Sequence, residues 1–315
     1  MREIAVFSGS AHPQLAAEVC ACLGVPLHSA AIGRFSNDCL HVQLKANCRE
    51  SDVFLIQPLV PPVQEHLMEL LLMLDAARGA SAARATAVIP HYAYARSDKK
   101  DAPRISIAGR LVADLLATAG ANRVLTMTLH AAQVHGFFSV PVDHLNALNV
   151  LARHFRDRDL GNTIVVSPDL GNAKSATQFA RLLKLPVAAG SKQRVADDSV
   201  IIDTIVGDVA GKDVIVLDDE IANGGTIVAI LQRLRERRVG RIALACTHGL
   251  FTGPAIERLR AQPDIAEIVT TDTVPLPAEK RLPNMRVLSI APLLAEAIRR
   301  IHSGMSVSSL FTESA

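Results

Sequence analysis

Tryptophan is absent from the 315-residue sequence, and aromatic residues make up only 3% of it. A surface that stacks the bases of single-stranded nucleic acid needs aromatic rings, so this composition argues against that class of binding. An excess of charge of one sign is also missing, since 33 basic and 31 acidic residues leave a formal net charge of +2. No block of like charge indicates a nucleic acid or a membrane surface, and we therefore predict neither as a partner.

Cysteines and long hydrophobic runs are scarce as well. The five cysteines are an odd number without the spacing of zinc sites, which predicts free or buried thiols in a reducing cytoplasm. The most apolar run, Leu67 to Ala77, contains Glu69 and Asp75 and is too short to cross a bilayer. The chain begins directly with a strand-like run and has no signal-peptide layout, so we expect a cytoplasmic protein.

What the sequence does have is a regular alternation of apolar strand-like runs and amphipathic helix-like stretches, which predicts an α/β fold with mostly parallel sheets. The predicted strands are Ile4–Phe7, Val53–Ile56, Ala87–Ile89, Val124–Met127, Thr163–Val166, Val200–Ile205, Val214–Leu217, Ala243–Cys246, Ile268–Thr270 and Val287–Ile290. The predicted helices include Pro13–Leu23, Glu65–Arg78, Ile107–Ala117, Ala173–Leu185 and Ile227–Arg238. The chain divides into two halves of similar rhythm near Leu145–Asp157, and the charged stretch Arg153–Asp159 predicts a solvated connector or a helix end.

The most informative stretch follows the predicted strand Val214–Leu217. Asp218 and Asp219 stand where that strand is expected to end, and a loop with Gly224 and Gly225 leads to a helix that opens at Thr226. Backbone N–H groups in such a loop and the helix dipole bind anions, while neighbouring carboxylates suit the hydroxyls of a sugar. The stretch therefore predicts a sugar phosphate site, with an ordinary strand-to-helix turn as the open alternative.

Other predicted strands also end in polar loops, where ligands of parallel sheets collect. Pro90–Arg104 is rich in basic residues and predicts an anion-binding loop, although a solvated surface loop is equally compatible. His130 follows the strand Val124–Met127, and a histidine at that place is more often structural than a metal ligand. Asp169 lies in a second loop that combines a carboxylate with a glycine.

Taken together and in order, several segments resemble those of the ribose-phosphate pyrophosphokinase (phosphoribosyl diphosphate synthetase) family. The most specific are the YARxDKKD loop and the THGxFxGPA segment. The segments are Phe7–Ala16, Arg34–Asp38, Thr86–Asp101, Leu129–Leu145, Ser167–Lys174, Ser191–Arg194, Asp218–Thr226, Thr247–Ala255 and Ala295–Phe311. The resemblance covers the chain from about Val6 to Phe311.

The resemblance implies two type I phosphoribosyltransferase-like domains, each a mostly parallel sheet flanked by helices. The first would span residues 1–147, with the segment of about 296–315 packing on it, and the second would span residues 148–295. It further implies transfer of the diphosphoryl group of ATP to the C1 hydroxyl of ribose 5-phosphate, which gives phosphoribosyl diphosphate and AMP. Mg2+ is the implied cofactor, with Mn2+ as a possible substitute, and a homo-oligomer, typically a hexamer, is the implied assembly.

By the same resemblance, site residues fall into four groups. Lys192 and Arg194 would stabilise the charge of the transferring group from a mobile loop. ATP would be held by Phe35, Asn37, Arg96, Ser97, Asp98 and His130. Ribose 5-phosphate would be held by Asp218, Asp219, Ala222, Asn223, Gly224, Gly225 and Thr226. The metal ligands would be His130, Asp169 and Asp143.

The chain departs from the family pattern inside these sites. Thr128 and Ser139 replace usual aspartates near the metal-binding segment, and Cys39 replaces a common glutamate. Ala222 and Asn223 replace the third aspartate and the threonine of the sugar loop. These changes keep a second hypothesis open, in which the chain is a non-catalytic paralogue that assembles with an active synthetase. A phosphoribosyltransferase that consumes the diphosphate is a third hypothesis, and the YARSDKK loop argues against it.

Overall fold

The computed structural model describes residues 2–196 and 199–312. Within these residues the strands are β1 (Ile4–Ser8), β2 (Leu27–His28), β3 (Ala30–Arg34), β4 (Leu40–Leu44), β5 (Asp52–Ile56), β6 (Arg84–Ile89), β7 (Arg123–Met127), β8 (Val142–Leu145), β9 (Thr163–Ser167), β10 (Val187–Ala196), β11 (Ser199–Val206), β12 (Asp213–Ile221), β13 (Ile242–Gly249), β14 (Ile265–Thr271) and β15 (Met285–Leu288). The α-helices are α1 (Pro13–Leu23), α2 (Val63–Gly79), α3 (Ala108–Ala119), α4 (Leu148–Arg156), α5 (Ala173–Leu183), α6 (Gly225–Glu236), α7 (Ala255–Arg260), α8 (Ala291–Ser303) and α9 (Ser309–Thr312). Short 3-10 helices lie at Ala93–Arg96, Ala132–Phe137 and Ala278–Lys280.

One compact unit comprises residues 2–146, Thr273–Pro275 and Ser289–Thr312. Its main sheet has the strand order β2-β1-β5-β6-β7-β8, and its pairs are parallel. The central strand β5 is buried along its whole length, as expected for a parallel sheet that is covered on both faces. Strands β3 and β4 form a separate antiparallel hairpin.

The other compact unit comprises Ala147–Asp272 and Leu276–Leu288. Its sheet has the strand order β11-β10-β9-β12-β13-β14-β15, and only the pair of β10 and β11 is antiparallel. The apolar run Val214–Leu217 of β12 is at most 2% exposed, which explains its unbroken hydrophobic character. The α/β fold class predicted from the sequence is confirmed.

Helix α1 shows how local sequence sets an element's limits. Its first residue is Pro13, whose missing N–H costs nothing at that position. The side chain of His12 accepts a hydrogen bond from the Leu15 N–H at 3.3 Å and so caps the first turn. Gly24 ends the helix at φ 75°, a left-handed conformation that glycine adopts without strain.

The structure corrects several predictions about elements. Strand β12 runs to Ile221, so Asp218 and Asp219 lie inside it and not at its end. The segment predicted as a mobile loop is a β-hairpin, in which Lys192 pairs with Ile202 and Arg194 with Val200. Five strands of the structure were not predicted from the sequence. Four of them are short or partly exposed, namely β2, β3, β4 and β8, and the fifth is β10, which contains the segment Ser191–Arg194.

The charged stretch near the predicted boundary is the end of a helix. Phe155 of α4 is buried at 2% exposure and stacks edge-on against Phe179 of α5. Arg158 follows the helix and, together with His154, forms an ion pair with Glu267 of β14. The alternation of charged and apolar residues thus marks one helix face packed on the sheet and one face turned to solvent.

The C-terminal helix α8 packs on α1 within the first unit. A buried ion cluster holds its end to the sheet. Asp52, at 1% exposure, accepts a hydrogen bond from Arg84 Nε at 2.8 Å and lies 3.0 Å from His302 Nδ1. The guanidinium of Arg84 also donates to the carbonyl of Ile301 at 3.1 Å. The cluster therefore ties the end of the chain to strands near its beginning.

We expect Asp52→Ala to destabilise the protein by about 3–5 kcal/mol, because it leaves the Arg84 guanidinium partly buried without its counter-ion. Asp75→Ala is the matched control, since it removes an exposed ion pair with Arg78 and should cost less than about 1 kcal/mol. Urea unfolding followed by circular dichroism measures both. Equal stability of the two variants would show that the cluster does not hold α8 in place.

Candidate functional site

The segment between β12 and α6 has the geometry of an anion-binding turn. Gly224 stands at the N-cap of α6 with φ 77°, a left-handed conformation that favours glycine. The helix begins at Gly225, one residue before the predicted start. A helix N-terminus that opens on two glycines presents backbone N–H groups with little steric cover, which suits a phosphate.

Asn223 shapes this turn from within. Its side-chain Oδ1 accepts a hydrogen bond from the Gly225 N–H at 2.9 Å, which closes a local Asx-type turn. A phosphate that uses the Gly225 N–H would therefore have to displace the Asn223 side chain. The family resemblance places Asn223 among the residues that hold ribose 5-phosphate, and in the structure its side-chain oxygen is an acceptor inside the turn.

Three carboxylates approach one another at this edge of the sheet. Asp218 is partly buried, and its pKa is raised well above the usual range. Burial of the carboxyl group is the main cause, followed by the charge of Asp219, a hydrogen bond with it, and the charge of Asp169. The structure thus brings the loop after β9 close to the acidic pair of β12.

The loop that carries Asp169 is itself held by hydrogen bonds. Asp169 Oδ1 accepts from the Asn172 N–H at 3.0 Å, and Ser167 Oγ donates to the Asp169 carbonyl at 2.6 Å. The side-chain amide of Asn172 donates from Nδ2 to the Leu217 carbonyl at 3.0 Å, which connects this loop to β12. The position of Asp169 beside Asp218 is therefore set by both strands.

The donor chemistry of this acidic edge fits Mg2+. Carboxylate oxygens are the ligands that Mg2+ prefers, and it typically combines one or two of them with waters and substrate phosphates. Burial first, and then the charges of Asp219 and Asp169, raise the pKa of Asp218, and a divalent cation would neutralise those charges. Within the described part of the chain, no group of three or more His, Cys, Asp or Glu side chains is placed to hold a metal ion, so a cation here would depend on phosphate oxygens and waters as further ligands.

In the first unit, the predicted ATP residues lie on two segments. Phe35 and Asn37 are at the tip of the β3–β4 hairpin, where Phe35 is 60% exposed and its ring centroid lies 4.7 Å from that of His41. Asn37 Oδ1 accepts from the Cys39 N–H at 3.2 Å and holds the tip in shape. An exposed aromatic ring on a braced tip is suited to stacking on a planar base.

The other predicted ATP residues follow β6. Arg96 is exposed, and Ser97 Oγ accepts from the Ala108 N–H at 3.0 Å at the start of α3. Asp98 accepts a hydrogen bond from the side chain of Gln133, which joins this loop to the segment after β7. The structure therefore brings the Arg96–Asp98 loop and the histidine-bearing segment after β7 together.

His130 lies beyond the end of β7 and is exposed. The backbone before it is held by a second histidine, His144. The N–H of Leu129 donates to His144 Nε2 at 2.9 Å. Burial, and to a smaller extent the charge of His135, lowers the pKa of His144 to about 4, so its ring stays neutral and accepts this bond at physiological pH. Thr128 stands at φ 42°, which a β-branched residue rarely adopts. His144 was not among the predicted site residues, because its role depends on the pairing of β7 with β8.

Asp143 is placed differently from its predicted role. Its Oδ2 lies 2.6 Å from Nη1 of Arg123, the first residue of β7, whereas His130 follows the opposite end of that strand. A carboxylate engaged at the start of the strand is poorly placed to share a metal with His130. This geometry counts against Asp143 as a metal ligand.

The structure adds a buried network at the strand ends of the first unit. Glu69, at 4% exposure, accepts hydrogen bonds from the N–H of Ser10 at 3.1 Å and from Gln57 Nε2 at 2.7 Å. Gln57 Oε1 accepts from the Ala11 N–H at 3.1 Å. A Cβ at Gly9 would lie 2.3 Å from Gln57 Oε1, so only glycine fits there. The one signal in the sequence was Glu69 itself, as an acid within an apolar run.

Comparison with known proteins identifies one family over both compact units. The family model described as the N-terminal domain of ribose phosphate pyrophosphokinase matches residues 4–120, and that of the phosphoribosyl synthetase-associated domain matches residues 200–312. A Streptomyces coelicolor protein, provisionally named a ribose-phosphate pyrophosphokinase, is 69% identical over 99% of this chain and 98% of its own length. The ribose-phosphate pyrophosphokinase of Deinococcus radiodurans is 50% identical over 98% of this chain and 97% of its own length.

A solved structure gives the same result. The phosphoribosylpyrophosphate synthetase from Mycobacterium smegmatis has a TM-score of 0.90 and 40% sequence identity, covering 96% of this chain and 100% of its own. The fold and the strand-end loops define an α/β protein built of phosphoribosyltransferase-like domains. The chain belongs to the ribose-phosphate pyrophosphokinase family. None of the helices in the described residues is long and apolar enough to cross a membrane.

The raised pKa of Asp218 predicts a pH-dependent stability. The pKa of this carboxyl group is higher in the folded than in the unfolded protein. The folded protein therefore loses stability as the pH rises from the pKa of the unfolded state through the pKa of the folded state. Asp218→Asn removes that loss, so it should raise the melting temperature at pH 8 and leave it nearly unchanged at pH 4. Thermal unfolding in the presence of a chelator and without substrate measures this effect.

Glu279→Gln, at an exposed position of the same unit, is the control for this experiment and should change the melting temperature little at either pH. A melting temperature of Asp218→Asn at pH 8 equal to or below that of the unmodified protein would refute the electrostatic cause.

Proposed function

We propose that this protein is a ribose-phosphate diphosphokinase. It transfers the diphosphoryl group of ATP to the C1 hydroxyl of ribose 5-phosphate and yields 5-phosphoribosyl 1-diphosphate and AMP. The bond between the β-phosphorus and the oxygen that bridges it to the α-phosphorus breaks, and that oxygen leaves with AMP. The C1 oxygen forms a new bond to the β-phosphorus, and the proton of the C1 hydroxyl is released to solvent. The observation that carries the proposal is the acidic pair of β12 followed by a glycine-capped helix, in a chain whose full length matches relatives of that name.

Ribose 5-phosphate binds the β12–α6 segment in this proposal. The phosphate lies at the N-terminus of α6, held by backbone groups of Ala222, Asn223, Gly224 and Gly225 and by Thr226. The ring hydroxyls donate to Asp218 and Asp219. The phosphate takes the Gly225 N–H by displacing the side-chain oxygen of Asn223, which accepts from that N–H in the structure.

ATP binds the first unit. The adenine stacks on the exposed ring of Phe35 and is fixed by Asn37, while Arg96, Ser97 and Asp98 hold the nucleotide. The hydrogen bond between Asp98 and Gln133 supports a common site with His130, since it joins the two loops. The guanidinium of Arg96 matches phosphate charge in geometry and sign.

Lys192 and Arg194 stabilise the charge on the transferring group. Their side chains lie outside the described part of the structure. Asp169 in the second unit would bind Mg2+, or Mn2+ in its place, and His130 in the first unit is a further candidate ligand. The metal would supply charge neutralisation and orientation. Asp143 is left out of this set because it is paired with Arg123.

The proposed protein also has a defined domain organisation and oligomeric state. The domains are residues 1–147 and 148–295, with the segment 296–315 returning to the first, and the contact of His302 with Asp52 supports that return. The protein is a cytoplasmic homo-oligomer, a hexamer on the basis of family membership, which size-exclusion chromatography with light scattering tests.

The activity itself is tested by AMP formation from ATP and ribose 5-phosphate with Mg2+, and again with Mn2+. We expect AMP that depends on the sugar phosphate and is abolished by a chelator. Binding of ribose 5-phosphate without AMP under either metal would favour a non-catalytic partner. Pyrophosphate release with a nucleobase would indicate a phosphoribosyltransferase.

We expect Lys192→Ala to abolish turnover and leave the dissociation constant of ribose 5-phosphate nearly unchanged, because its charge acts on the transferring group. Lys184→Asn is the matched control, as it removes an exposed lysine at φ 57°, a conformation that asparagine tolerates, and should keep full activity. Steady-state AMP formation and calorimetry measure both. Turnover equal to that of the unmodified protein would remove Lys192 from the mechanism.

A further inference from the structure

The backbone that leads from β12 into the glycine turn is held by the segment after β13. The N–H of Phe251 donates to the carbonyl of Ile221 at 3.1 Å, and the N–H of Thr252 donates to the carbonyl of Ala222 at 3.0 Å. Two successive peptide groups at the end of β12 are therefore fixed by main-chain bonds from one neighbouring loop.

The third peptide group in the series is held by a side chain. Arg258, on α7, donates from Nη1 to the carbonyl of Asn223 at 2.9 Å. Its side chain is partly buried, so the bond lies away from bulk solvent. A guanidinium bound to a carbonyl makes a charge-assisted bond that is stronger than a neutral one.

Fixing these carbonyls also fixes the direction of the amides. In a planar trans peptide the C=O and the following N–H point in opposite directions. The bond from Arg258 to the Asn223 carbonyl therefore turns the Gly224 N–H away from α7. The same reasoning turns the N–H groups of Ala222 and Asn223 away from the bracing loop.

The bracing segment has its own support. Lys280 Nζ donates to the carbonyl of Leu250 at 3.2 Å, and Phe251 is buried at 1% exposure. Gly249 allows this packing, because a Cβ there would lie 2.6 Å from the Phe251 ring. The loop that holds the turn is therefore packed into the unit, and its hydrogen bonds keep the backbone of the β12–α6 segment in one conformation.

We propose that Arg258 is a positioning residue for ribose 5-phosphate binding. It acts through the Asn223 carbonyl, aiming the Gly224 N–H at the 5-phosphate and polarising that peptide group, so that the amide donates more strongly. Arg258 does not touch the substrate. The inference rests on the proposed function only in placing the 5-phosphate at this turn. It gives Arg258 a role that Arg260, the other basic residue of α7, does not have.

The test is isothermal calorimetry of ribose 5-phosphate binding to the full-length chain, with the steady-state KM for both substrates. Arg258→Met keeps the length of the side chain and removes its donors, so we expect affinity for ribose 5-phosphate to fall roughly tenfold while the KM for ATP changes less than about twofold. Arg258→Lys keeps one charged donor and should recover part of the affinity.

Arg260→Met is the matched control, because Arg260 is an exposed arginine on the same helix. It should bind ribose 5-phosphate as the unmodified protein does. Melting temperatures of all variants are measured alongside, and if Arg258→Met does not fold, the comparison of Arg258→Lys with Arg260→Met decides.

Two results would overturn the inference: unchanged ribose 5-phosphate affinity in a folded Arg258→Met, or equal losses for ribose 5-phosphate and ATP, which would indicate a general structural role. An unmodified protein that binds ribose 5-phosphate but forms no AMP would refute the proposed diphosphokinase, while the affinity comparison would still decide the role of Arg258. An unmodified protein that does not bind ribose 5-phosphate would refute both.

Discussion

Parallel pairing of β12 with β9 and β13 is the constraint on which the candidate site depends. The carboxyl ends of parallel strands meet at one edge of the sheet, so the loops after β9 and β13 converge on the residues at the end of β12. Burial is the main cause of the raised pKa of Asp218, and the charges of Asp219 and of Asp169, which this convergence brings near, add to it. The apolar run Val214–Leu217, buried on both faces, supplies the hydrophobic free energy that holds these like charges together. The edge is therefore held against electrostatic repulsion, which a bound cation or sugar hydroxyls would relieve.

The two units use buried polar groups at strand ends in different ways. In the first unit, Glu69 accepts bonds from Ser10 and Gln57, and this network shapes the backbone after β1 and β5. In the second unit, Asp218 and Asp219 stay close together, and the backbone beside them is shaped by the loop after β13. The first arrangement pairs one acid with neutral donors, whereas the second places two carboxyl groups side by side, where Asp218 Oδ1 accepts from the Asp219 N–H at 2.9 Å. This difference agrees with the proposed division of labour, in which the acidic edge of the second unit binds the sugar.

Sequence reasoning succeeded where a pattern is local. Helix α1 has the predicted limits, since a first-turn proline and a terminal glycine mark both ends. Strands β5, β6 and β9 were predicted within a few residues because burial on both faces makes their runs continuously apolar. The partly exposed hairpin of β3 and β4 was missed, since its mixed composition has neither period nor a strong turn signal. The length of β12 was underestimated because acidic residues are rare in strands, and here the pairing with β13 extends through them.

The sequence by itself determined the α/β class, the glycine turn after an acidic pair and, through its ordered motifs, the family. These features are local or are carried by residue order, so they can be recognised without coordinates. The tertiary structure alone decided that His144 holds Leu129, that Asp143 pairs with Arg123 and that Arg258 holds Asn223. Each of these contacts joins residues that are between 15 and 35 positions apart in the chain. Strand register and helix packing set such distances, and no local pattern in the sequence encodes them.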